Sequence, residues 1–231
     1  MRLFALSTAE QGASMALFDE HEVVCSSFWA NRQTHSKRLM LMAEQMISHQ
    51  AGWTLVDIDG FIAAKGPGSF TGLRIGIGVV KGLAYAFSKP HAGISSLDGI
   101  AYRFNLSETQ VCVMMDAKRG EVYTALYRFE QGVLKEKSKE TVCPPEHAIM
   151  AAGPSAFFAG SGSKAYRKVI LEATQGKGRI SPSSRDSVCA SAMVQAALER
   201  PLTFGEKEYS LEPTYLRKSD AEIHFLQKSS T

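Results

Sequence analysis

Ala64-Lys65-Gly66-Pro67-Gly68-Ser69-Phe70-Thr71-Gly72-Leu73-Arg74-Ile75-Gly76-Ile77-Gly78 is the stretch on which the fold turns. Gly60 to Ala64, just ahead of it, is short and apolar, as a buried strand is, and Gly66-Pro67-Gly68 mixes fixed with permissive φ, the chemistry of a forced turn. A helix over about Phe70 to Phe87 follows, capped by Ser69 or Thr71 and stopped by Lys89-Pro90. A capped helix start presents free backbone N–H groups, which makes Gly66, Gly68, Ser69 and Arg74 candidate contacts for a phosphate or another anion. Arg74 suits a carboxylate partner equally well. The rival reading is structural: Gly72, Gly76, Gly78 and Gly82 lie inside the helix, and each costs up to about 1 kcal/mol relative to Ala there. A helix carrying that cost implies a very close neighbour.

Upstream, residues 2–7 read as a buried strand, Ala13 to Phe18 as a second after a turn at Gly12, and Val23 to Trp29 as a third. This antiparallel meander is laid out again at Val111 to Met115, Val122 to Phe129 and a strand near Val133, with Gly120 in the turn. Either two hairpins match by chance or the chain is a duplicated α/β domain. Between the copies, a helix over about Thr34 to His49 carries Leu39, Met42, Ala43, Met46 and Ile47 on one stripe, with Met40 and Leu41 off it. That band is wider than one buried face needs. A Met-rich core face and an adaptable partner surface both fit it.

Downstream, the pattern predicts a helix over Glu146 to Ala151, a strand over Ala156 to Ala159, a glycine-serine loop at Gly160-Ser161-Gly162-Ser163, a helix over Ser187 to Glu199, and an extended Glu212 to Arg217. Lys164, Arg167, Lys168, Lys177 and Arg179 pick out no helical stripe and read as a solvated face. The domain division expected is 1–105, 106–217 and a polar tail over 218–231.

The formal charge is +3 over 231 residues, with nine basic against eight acidic residues in 1–105 and seventeen against fifteen in 106–231. So even a distribution argues against a stand-alone nucleic-acid groove. Cys25, Cys112, Cys143 and Cys189 are far apart, the pattern of buried free thiols in a reducing cytoplasm, and the apolar runs are too interrupted to span a membrane. The six histidines form no i, i+4 pair, so no local metal motif exists. Walker and dinucleotide motifs fail too: Gly66-x-Gly68-x-x-x-Gly72 misses the dinucleotide spacing by one residue, and Ser69 lacks the flanking glycines of a nucleophile elbow.

Four segments together resemble one family: Gly66 to Gly76, His35-Ser36 opening a helix, Asp116-Ala117-Lys118-Arg119-Gly120-Glu121-Val122-Tyr123, and Pro213-Thr214-Tyr215-Leu216-Arg217. They are similar to the TsaB (YeaZ) family, and the likeness covers nearly the whole chain. It implies an α/β fold of the duplicated actin-like (ASKHA, RNase H-like) kind, with two mixed sheets flanked by helices. It also implies a part in making the N6-threonylcarbamoyl group on adenosine 37 of tRNA. Members resemble the catalytic subunit TsaD without its metal-binding histidine pair, and bind it through the two N-terminal helices. On this chain that places a docking face on His35, Leu39, Met42, Met46, Phe70, Gly72, Leu73, Gly76, Ile77 and Val80. The same face would pair two copies into a homodimer when the chain is alone.

The resemblance further implies a cytoplasmic protein with no cofactor of its own. ATP or ADP and Mg enter at the level of the complex, with a TsaE-like ATPase; TsaC-type enzymes supply threonylcarbamoyl-adenylate, and tRNA is met only through the complex. Relatives carry Asp-Thr where this chain has Ser7-Thr8, so ATP hydrolysis by this chain alone is not expected. The alternative is a stand-alone ASKHA-type ATPase or kinase, or a peptidase-like enzyme. On the docking reading, Gly76→Leu or Met42→Glu abolishes pairing.

Overall fold

The computed structural model describes residues 1–20, 22–30, 35–199 and 210–217. The expected helix start at Thr34 and the tail over 218–231 lie outside the described residues. The N-terminal half holds β1 (Arg2–Ser7), β2 (Ala13–Asp19), β3 (Glu22–Trp29), β4 (Gly60–Gly66) and β5 (His91–Ser95), in the spatial order β3-β2-β1-β4-β5. The meander is antiparallel, whereas β1 with β4 and β4 with β5 are parallel. The second sheet contains β6 (Val111–Lys118), β7 (Glu121–Glu130), β8 (Val133–Lys137), β9 (Thr141–Cys143), β10 (Phe157–Ala159) and β11 (Arg179–Ile180). Its order is β11-β10-β6-β7-β8, with β9 added on β7. Here too the hairpins are antiparallel and the β6, β10 and β11 pairings parallel. Order and strand sense repeat throughout both sheets, including the crossover strands, which two matching hairpins alone would not produce. The fold is the expected duplicated arrangement of two mixed sheets flanked by helices.

The helices are α1 (His35–Gln45), which widens into a π-helical turn over Met46–Gln50, α2 (Phe70–Ala86), α3 (Asp98–Ala101), α4 (Pro145–Ala152), α5 (Ser161–Ala165), α6 (Arg167–Ala173) and α7 (Ala190–Leu198). Strand β6 shows why the core is shared: Val111, Val113 and Met115 face a cluster that also contains Leu3, Leu6 and Phe61 of the first sheet. The alternate residues Cys112 and Met114 face a smaller cluster with Ile149, Phe158 and Ile170 under α4 and α6. That is the period-2 pattern of a strand buried on both faces. Lys164, Arg167, Lys168, Lys177 and Arg179 are exposed, the solvated face expected of them.

Two expectations need correction. The first half holds a third helix, α3, all four of whose residues are buried; a single apolar turn carries no periodicity to read. The chain also does not stay in its second half to residue 217. Helix α7 packs on β1, β2 and α3, and its Ala190, Ala192, Met193, Val194, Ala196 and Ala197 are buried in the larger cluster. The main-chain N–H of Ala190 donates to Ser14 Oγ at 3.0 Å. Small alanines let α7 lie close to the first sheet, whose second face needs a cover. Leu211 joins the same cluster, and Thr214 N–H donates to Lys65 O at 2.7 Å, so residues 210–215 strap across the first half without entering a sheet, while Arg217 turns back to pair with Glu121 of β7 at 3.3 Å.

Candidate docking face and the junction beneath it

Helix α2 is anchored by the turn between β1 and β2. Ser69 is its N-cap, accepting the Gly72 N–H at 3.2 Å, and Ser69 N–H donates to Ala9 O at 2.7 Å. Thr8 Oγ1 donates to Gly72 O at 2.7 Å. A Cβ on Gly72 would collide with the Thr8 carbonyl oxygen and one on Gly76 with Thr8 Oγ1. These two glycines therefore exist to let the helix backbone rest on the hairpin turn of its own chain.

The loop ahead of the helix is filled as well. A Cβ on Gly68 would come within 2.5 Å of Ala9 O, and one on Gly66, at φ +118°, within 2.5 Å of Thr214 O. Of the residues that were candidates to hold an anion, Gly66 is buried under Thr214 and Gly68 packs on Ala9, while Ser69 and Arg74 are exposed. Arg74 is held by aromatic groups: its guanidinium lies 3.9 Å from the Phe70 ring centroid and its Nε donates to Tyr215 Oη at 3.1 Å. The Phe70 and Tyr215 rings are 5.0 Å apart. The strap thus fastens to the first turns of α2, and Glu212 adds an ion pair with Lys81 at 2.7 Å.

The expected docking residues mostly point inward. Leu39, Met46, Leu73, Ile77 and Val80 are buried in the larger core, as Gly72 and Gly76 are against Thr8. Met42 is half-buried, and Phe70 is 37% exposed but stacked on Tyr215. His35 begins α1, and its side chain lies outside the described residues. The apolar stripe found by periodicity is the stripe a helix turns to its own sheet, because burial against the sheet is what writes the period. Gly76→Leu is accordingly a lesion in the fold before it is a probe of docking.

The outward surface belongs to other residues. Among the described residues, a Cβ on Gly78 or Gly82 would meet no atom within 4 Å. Between them and the helix end stands Tyr85, 90% exposed, while Met40 and Leu41 on the adjoining α1 are 41% and 59% exposed. Ile75 and Val79 are half-buried alongside. Sequence reading singled out the off-stripe Met40 and Leu41 and missed Tyr85, whose signal was its phase: it follows Gly78 by two turns on the face opposite Leu73 and Val80.

Beneath the α2 anchor the two halves meet. Ser7 is 2% exposed, and its Oγ accepts Ala9 N–H at 3.4 Å. Glu10 Oε2 accepts Val188 N–H at 2.9 Å. Asp116 Oδ1 accepts Lys118 N–H at 2.8 Å, and its other oxygen pairs with Lys118 Nζ at 2.6 Å. Asp186 Oδ1 accepts Gly160 N–H at 3.3 Å and the Ser181 hydroxyl. Burial raises both Glu10 and Asp186 above the ordinary carboxylate range. Glu10, Asp116 and Asp186 each accept from the chain's own N–H, hydroxyl or ammonium groups, while Asp186 Oδ2 has no hydrogen-bond partner among the described residues. Among the described residues no group of three or more His, Cys, Asp or Glu side chains is placed to hold a metal ion, and no helix is long and apolar enough to cross a membrane.

The four cysteines are free thiols; Cys112 alone is fully buried, and that burial pushes it up to about 12, while Cys25, Cys143 and Cys189 keep some surface.

Residues 29–225 match the family described as TsaD: tRNA N6-adenosine threonylcarbamoyltransferase. Over 234 residues, 94% of each chain, the protein is 31% identical to the tRNA threonylcarbamoyladenosine biosynthesis protein TsaB of Haemophilus influenzae. It is 26% identical to the Bacillus subtilis protein of the same name, over 98% of this chain and 99% of that one. The solved structure of YeaZ from Pseudomonas aeruginosa matches with a TM-score of 0.75 at 29% identity, covering 93% of this chain and 99% of its own. With the repeated sheet order, the glycine helix seated on the hairpin turn, and similarity along nearly its full length, the chain belongs to the TsaB (YeaZ) family.

Proposed function

We propose that this protein is a non-catalytic subunit in the synthesis of N6-threonylcarbamoyladenosine on tRNA, docking on a TsaD-like catalytic subunit. The observation that carries the reading is the outward face of α2, where Gly78 and Gly82 leave the backbone bare beside the exposed Tyr85, Met40 and Leu41. Bare glycines four apart admit another helix at close range, and an exposed tyrosine with flexible methionine around it has the composition of an interface centre. In the absence of that partner a second copy of the chain would cover the same face.

The engaged carboxylates of the junction support leaving nucleotide chemistry to the complex, with a TsaE-like ATPase bringing ATP and Mg, and tRNA bound only through the assembly. The test is co-purification with the TsaD-like protein of the same organism, followed by a threonylcarbamoylation assay with and without this chain. Gly82→Leu and Tyr85→Glu should keep the fold and weaken pairing at least ~100-fold, about 2.7 kcal/mol. Unchanged affinity of both variants by calorimetry would sink the docking face. ATP turnover by the purified chain alone would instead favour an independent enzyme.

A further inference from the structure

The strands that end the two sheets differ in how they are protected. Strand β5 ends the first sheet with Ala92 to Ser95 buried, β11 ends the second with only two residues, and β8 ends it on the other side with Lys135, Glu136 and Lys137. Burial, shortness and charge each guard a sheet edge, whose row of unpaired main-chain N–H and C=O groups is otherwise a template for another strand. Strand β3 has none of the three. It runs for eight residues with most of them exposed, its only partner strand among the described residues is β2, and Val23 to Trp29 carry no charged side chain.

The two faces of β3 are unlike. Cys25 and Trp29 pack against the larger core, whereas Val24 and Phe28 are 40% and 50% exposed and Ser26 is exposed between them. Phe28 pairs with Ser14, and Ser14 Oγ receives the Ala190 N–H, so Phe28 and Ser26 stand on the side of the sheet that α7 occupies. The Phe28 ring is seated on the bare backbone of Gly12, where a Cβ would meet its Cζ at 2.8 Å. Beside Ser26 lies a cavity of about 760 Å³, lined by Phe18 and Val23 and walled by Ala192 and Gln195 of α7. Val24 is passed over in the register with β2, which leaves Cys25 to Trp29 as regular edge.

We propose that β3 pairs antiparallel with β3 of a second copy of this chain, about a two-fold axis at Ser26, joining two five-stranded sheets into one. Symmetry argues for the second copy. Two identical antiparallel strands related by a two-fold axis set one residue opposite itself, and residues equally distant on either side of it face each other. With Ser26 on the axis, Val24 of each copy faces Phe28 of the other, a β-branched side chain against an aromatic one, and Glu22 faces Ala30 rather than its own like. An axis at Cys25 would set Glu22 against Phe28, and one at Ser27 would set Ser26 against Phe28. The open side of the cavity leaves room for the second copy's side chains. This pairing uses a surface apart from the outer face of α2 and rests on no part of the docking reading.

The experiment uses the full chain carrying Tyr85→Glu, which disables pairing through α2, and follows mass against concentration by analytical ultracentrifugation. A monomer–dimer equilibrium is expected, and Ser26→Lys added to that chain should weaken it at least ~10-fold, because the axis sets the two new ammonium groups against each other. Thermal melts check that this exposed substitution keeps the fold. In a separate arm, Ser26→Cys on the same chain is exposed to oxidised glutathione. Opposite Cβ atoms in such a pair lie about 4.5–5.5 Å apart, near what a disulfide spans, so a covalent dimer should form while the parent chain stays largely unlinked. The pairing is overturned by a Tyr85→Glu chain that is monomeric at every concentration, by a dimer that Ser26→Lys leaves unchanged, or by Ser26→Cys linking no faster than its parent.

Discussion

Gly72 and Gly76 are four residues apart on α2, and so are Gly78 and Gly82, yet the two pairs face opposite surroundings. The first pair lies against Thr8 of the same chain, where no side chain fits; the second pair faces open space among the described residues. The helix has advanced by half a turn between Gly76 and Gly78, enough to carry a residue from the sheet side to the outside. Identical residues at identical spacing therefore answer two different demands, one satisfied inside the monomer and one left unsatisfied. The outer pair is the one on which the docking proposal rests, because glycine in a helix interior has a cost and no contact among the described residues repays it.

That contrast can be attacked at several points. Gly72→Ala drives a methyl into a backbone carbonyl, which cannot move aside like a side chain. It should cost about 3 kcal/mol, read as a lowered midpoint in thermal or urea denaturation, and a stability equal to wild type would break the account of the inner pair. Ser69→Ala removes the cap that sets where α2 begins, and the expected loss is about 1 kcal/mol by the same measurement. Smallest and of opposite sign, Gly78→Ala and Gly82→Ala should each stabilise the isolated monomer by up to about 1 kcal/mol. Were either substitution to destabilise the monomer, the outer face would have a contact within the chain that the inner and outer assignment denies.

Much of this was readable beforehand. The apolar run Val111 to Met115, the alternation in Val122 to Phe129 and the paired meanders locate both sheets, because strand burial writes apolar runs and period 2 into the residues. The forced turn at Gly66-Pro67-Gly68 locates the start of α2 at about Phe70, and the structure makes Ser69 rather than Thr71 its cap. The docking residues were harder. Leu39, Met46, Leu73, Ile77 and Val80 carry the strongest periodicity, and for that reason they mark the core side of their helices. Residues that serve a partner lie off that stripe and look like ordinary surface. Arg74 was legible as unusual but not as the guanidinium between Phe70 and Tyr215, because Tyr215 is far along the chain.

By itself the sequence determined the local grammar: strand and helix periods, the capped glycine turn, the duplicated layout and the family to which its motifs belong. Each of these depends on neighbours within a few residues or on a pattern repeated along the chain. Only the tertiary structure decided which glycines touch Thr8 and which are bare, that α7 and residues 210–215 return to the first sheet, and that Glu10 reaches Val188 and Ser161. Those facts rest on contacts between distant residues, set by how two sheets and their helices fill one shared core, and no local propensity encodes such a contact.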